Sequence, residues 1–92
     1  MPSQPQNSVF SLDERCRQLA MWLQGFLGQS ASTRRWIEGL AEAWDLIQAW
    51  PPSSQQFAAA ASRLNNVRRY LQSDERGSAR YELELLLVSL PS

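Results

Sequence analysis

The stretch Ser32–Trp50, STRRWIEGLAEAWDLIQAW, constrains the fold more than any other part of the chain, because it runs unbroken until Pro51 and Pro52 stop it. Trp36, Ile37, Leu40, Ala43, Trp44 and Ile47 recur at steps of three and four, which places them on one face of an α-helix. Leu46 and Trp50 widen that face to about half the circumference, beyond the roughly 100° of a single contact stripe. A helix of this kind packs on two sides, so the other elements are expected to gather around it. Its end is set by chemistry: proline disfavours helical geometry in the residue before it and has no N–H of its own.

The flanking sequence predicts three more helices. Ser11 and Glu14 have the spacing of a capping box, and Asp13 and Glu14 suit the positive end of the helix dipole. Leu12, Cys16, Leu19, Leu23, Phe26 and Leu27 follow as one narrow stripe, with Trp22 at its edge and Met21 pointing away. Gly28 stands where such a helix stops. Ser53 and Gln56 repeat the capping pattern ahead of Phe57, Ala61, Leu64, Arg68 and Leu71, which share a face beside Ala60 and Val67. The run Ala58–Ala61 favours helix and leaves room for large rings such as Trp36 and Trp44.

The segment after the polar break Ser73–Ser78 has two readings. As a strand, Tyr81, Leu83, Leu85 and Leu87 alternate with Arg80, Glu82 and Glu84; as a helix, Ala79, Leu83, Leu86, Leu87 and Leu90 form one face. Leu, Glu and Arg favour helix, and a lone strand has no partner here, so the helix is preferred, closed by Pro91. The expected fold is all-α: a small antiparallel bundle of four helices at about 11–27, 32–50, 53–72 and 78–90. Residues 1–10, with two prolines among Ser, Gln and Asn, read as a flexible tail before a single domain at 11–92.

Composition narrows the chemistry. With no histidine there is no Ser/His/Asp or Cys/His catalysis, and with no lysine there is neither a Schiff base nor a P-loop. The expectation is therefore a protein that is not an enzyme, with no catalytic, metal or cofactor-binding residues. Glu38, Glu42 and Asp45 line one ridge of the Ser32–Trp50 helix opposite its apolar face, so they are expected to face water. Cys16, the single cysteine, lies on a core stripe and reads as a buried structural thiol in a cytoplasmic protein. Nine basic residues balance nine acidic ones, which argues against a nucleic-acid partner, and no apolar run is long enough to span a bilayer.

What remains is a surplus of apolar surface. Tyr81, Leu85 and Val88 form a second apolar side on the last helix, away from Leu83, Leu87 and Leu90. Met21, Trp22, Leu46 and Trp50 are also hard to shelter in four helices. Arg34 and Arg35 open their helix where its dipole disfavours cations; beside Trp36 they can grip a phosphate or an acidic partner, or meet a compensating acid from another element. Arg68, with Arg63, Arg76 and Arg80, can form a basic patch. The expected function is a non-enzymatic protein–protein interaction module, such as an adaptor, small chaperone or regulatory subunit. It would dimerise or capture a partner through Tyr81, Leu85, Val88, Trp22, Trp50, Leu46, Arg34 and Arg35. The alternative is a small helical DNA-binding regulator, in which Gly28–Ala31 is the turn before a recognition helix that Arg34 and Arg35 open; the acidic ridge opposes it.

Overall fold

The structure, a computed structural model, describes residues 11–90. The tail expected at 1–10 and the closure expected of Pro91 lie outside the described residues. Within them the chain forms helices α1 (Leu12–Leu27), α2 (Thr33–Ile47), α3 (Gln55–Gln72) and α4 (Arg76–Ser89), with no strand. Each helix packs on two others, in the cyclic order α1–α2–α3–α4. The Ser32–Trp50 stretch thus has two helical neighbours, as its wide face requires, but it is not the hub: the largest interface joins α3 to α4.

Local chemistry accounts for most of the ends. At α1 the Glu14 N–H donates to Ser11 Oγ at 3.2 Å and the Ser11 N–H donates to Glu14 Oε1 at 3.1 Å, which completes the capping box. At α2 the Arg35 N–H donates to Ser32 Oγ at 3.1 Å. The cap of α3 is Ser54, not Ser53. Its hydroxyl accepts from the Phe57 N–H at 3.1 Å and donates to Pro51 O at 2.7 Å, so one side chain serves both the helix start and the preceding turn. Helix α3 ends in a Schellman arrangement. The Glu75 N–H donates to Tyr70 O at 2.8 Å and the Asp74 N–H to Leu71 O at 3.1 Å, with Asp74 in the left-handed region at φ 56°.

Besides the start of α3, two boundaries differ from the sequence reading. Helix α2 stops at Ile47, and Gln48–Trp50 form a tight turn in which the Trp50 N–H donates to Ile47 O at 3.0 Å. Helix α4 starts at Arg76, ahead of position 78, so Gly77 lies inside it. The segment read two ways is helical because Ala79, Leu83 and Leu86 can then share one buried face, with Leu87 and Leu90 half-buried beside it.

The core joins Cys16, Leu19, Leu23 and Phe26 of α1, Trp36, Ala43 and Ile47 of α2, Ala60, Leu64 and Val67 of α3, and Ala79, Leu83 and Leu86 of α4. Trp50 closes it at 2 % exposure; its Nε1 has no hydrogen-bond partner among the described residues. Gly39 permits the closest approach of α1 and α2. A Cβ there would lie 2.6 Å from Phe26 Cε1. The Phe26 ring stacks on Trp22 at 5.0 Å between centroids and meets the edge of Trp36 at 4.9 Å. Trp36 therefore packs against Phe26 in the α1–α2 interface.

Candidate functional site

Among the described residues, the outer face of α4 exposes apolar side chains. Helix α4 turns Ala79, Leu83 and Leu86 inward, which forces positions half a turn away outward. Tyr81 is 59 % exposed and Val88 82 % exposed, with Leu85 half-buried between them. Glu84 lies on the same side, exposed, and its carboxylate is 3.5 Å from the Arg80 guanidinium.

The other residues expected to join that surface do not gather there. Trp50 is a core residue, because the turn at Gln48–Trp50 folds its indole inward; it has no part in an exposed face. Leu46 is half-buried against the core. Trp22 is held within the chain, stacked on Phe26 and donating Nε1–H to Glu42 Oε1 at 3.0 Å. Arg35 is tied down as well: its guanidinium donates to both Glu42 oxygens, at 3.0 and 3.2 Å, and sits 5.4 Å from the Phe26 ring centre. Glu42 stays exposed on the water-facing ridge, as expected, but serves two donors there, first Arg35 and then Trp22, which hold its carboxyl below the ordinary carboxylate range. Arg34 remains exposed and pairs with Glu38 at 3.5 Å. The compensating acids for both arginines come from their own helix, one and two turns on.

The expected basic patch is dispersed among internal acceptors. Arg63 donates to Glu82 Oε1 at 3.1 Å, Arg76 to Ala31 O at 3.2 Å, and Arg80 to Leu27 O. Arg80 thereby satisfies a carbonyl at the C-terminal end of α1, where cations are favoured, and Arg76 one in the turn just before α2. Glu82 is only 8 % exposed and accepts also from Asn66 Nδ2 at 3.2 Å, which locks α4 to α3. Sequence reasoning missed this clamp, although Ala79, Glu82 and Leu86 stand at steps of three and four on the core side.

A second apolar feature lies between α2 and α3. The helical period places Ile37 on the core face of its helix, but it is 58 % exposed. With Leu40, Arg68, Leu71 and Gln72 it lines an apolar groove of about 300 Å³. Arg68 has no ion pair or hydrogen bond among the described residues, and its exposed position at the groove edge fits a stem over apolar surface with its head in water.

Cys16 is fully buried, and burial first, then the charge of Asp13, pushes its thiol pKa up, away from the reactive thiolate. No group of three or more His, Cys, Asp or Glu side chains among the described residues is placed to hold a metal, and no helix there is long and apolar enough to cross a membrane. No protein-family model matches the chain, and no curated protein or solved structure is significantly similar to it.

Proposed function

We propose that this chain is a non-enzymatic protein–protein interaction module, and that the outer face of α4 is its contact surface. The observation that carries the reading is the exposure of Tyr81 and Val88, with Leu85 between them, on a helix whose opposite face already supplies the core. Covering an exposed valine or aromatic ring contributes up to about 1.5–3 kcal/mol, from which the cost of association is subtracted, so several such groups must act together. The duplex-binding alternative draws no support from its two arginines, which are paired with Glu38 and Glu42.

The experiment is affinity capture from a cell extract on the immobilised chain, repeated with Val88→Glu and Tyr81→Glu. Both positions are exposed, so both variants are expected to melt like the parent. Loss of the captured proteins in both variants supports the reading. Retention of the same proteins by both variants would remove the α4 face as the contact.

A further inference from the structure

The outer face of α4 and the α2–α3 groove have complementary chemistry. The α4 face combines the apolar side chains of Tyr81, Leu85 and Val88 with the exposed carboxylate of Glu84. The groove combines Ile37, Leu40 and Leu71 with the guanidinium of Arg68, and no acidic residue lines it. Arg68 lacks a partner within the described residues. Among the described residues Glu84 has only the 3.5 Å contact to Arg80, a half-exposed pair four residues apart on one helix. Arg80 keeps its bond to Leu27 O if Glu84 turns away.

The two surfaces are also placed so that one molecule can use both at once. Helices α2 and α4 each pack on α1 and α3, so they sit across the ring from one another. The outer face of α4 therefore opens on a different side from the groove between α2 and α3. A contact between unlike surfaces of identical chains is heterologous and propagates from copy to copy until it closes into a ring or grows as a filament.

We propose that the occupant of the α2–α3 groove is α4 of a second copy of this chain. Val88 and its apolar neighbours enter against Ile37, Leu40 and Leu71, and Glu84 meets Arg68. This deepens the interaction reading above and rests on it, naming the partner as the chain itself. The competing arrangement, two α4 helices packed antiparallel about Leu85, brings the two Glu84 carboxylates together beside the two-fold axis, where like charges oppose it.

Sedimentation velocity on the full chain, from micromolar to millimolar concentration, tests the proposal. The parent should sediment faster as concentration rises. Ile37→Glu spoils only the groove and Val88→Glu only the α4 face, so each alone should stay monomeric at every concentration. An equimolar mixture of the two should form dimers and nothing larger, because one intact face and one intact groove remain. Arg68→Glu should weaken association at least tenfold, and adding Glu84→Arg to it should restore much of the loss. Association that survives Ile37→Glu but not Val88→Glu overturns the proposal in favour of α4–α4 pairing. A parent that stays monomeric throughout overturns it too. If that parent still captures other proteins through α4, only the self-association is lost. If capture is insensitive to Val88→Glu as well, the interaction reading falls with it.

Discussion

Replacing Gly39 by alanine should destabilise the protein even though alanine is the better helix former. The propensity difference favours the substitution by about 1 kcal/mol in a helix interior. Against it stands the Phe26 ring, with Cε1, Cζ and Cδ1 at 2.6, 3.0 and 3.2 Å from the position of the new Cβ. To regain ordinary contact the ring must retreat by about 1 Å. It has little room to do so, since Trp22 stacks on it, Trp36 meets it edge-on and Arg35 lies over it. Overpacking of a tight core costs about 1–3 kcal/mol, and relocating three aromatic rings belongs at the upper end. The net effect is a loss of about 1–2 kcal/mol, or roughly 4–16 °C in melting temperature for a domain of this size. Gly25→Ala is the control. Nothing lies within 4 Å of its new Cβ, so only propensity acts, and stability should rise by about 0.5 kcal/mol. Both are read by urea and thermal denaturation, followed through tryptophan fluorescence and far-ultraviolet circular dichroism. A Gly39→Ala protein as stable as the parent would refute the close α1–α2 approach over this residue.

Three further outcomes are expected. Asp74→Gly should stabilise by about 0.5–1 kcal/mol in a denaturant titration, because position 74 closes α3 at φ 56° and glycine has no side-chain penalty there; a loss of stability would mean that the aspartate side chain supports the turn. Arg63→Leu should cost more than Glu82→Gln, about 2 against about 1 kcal/mol, since the first leaves a nearly buried carboxylate without its countercharge, held by Asn66 alone, and the second leaves an arginine free to reach water; equal losses would contradict the clamp. Glu42 titrates below its ordinary 4.5 in the folded state, so its contribution is present in full above pH 4.5 and disappears as pH falls below that through the lowered folded-state value; stability measured from pH 7 to pH 2 should fall less steeply at the acid end in Glu42→Gln, and an unchanged acid slope would count against the Arg35–Glu42–Trp22 arrangement.

Short-range signals carried much of the fold. The capping box at Ser11 and Glu14 and the serine at position 32 act within one turn of chain, so their role is written in residue spacing alone. The same holds for the helical period of Cys16, Leu19, Leu23 and Phe26. It holds too for the outward position of Tyr81 and Val88, which follows once Leu83 and Leu86 are inside. The choice between Ser53 and Ser54 as the cap was not legible, because it turns on which hydroxyl can reach back to Pro51 O.

The sequence by itself determined four helices, most of their ends, and which side of α4 is left without an internal partner. Tertiary structure alone decided that Trp50 folds into the core, that Ile37 does not, that Glu82 finds an arginine of α3 and that Glu42 receives the indole N–H of Trp22 from α1. Helical period reports only the side of a helix on which a residue falls. Whether that side meets a ring, a gap or a guanidinium depends on residues far away in the chain. Phe26 lies over Gly39 and Arg63 reaches Glu82 only because separate helices come together, and no local spacing encodes that encounter.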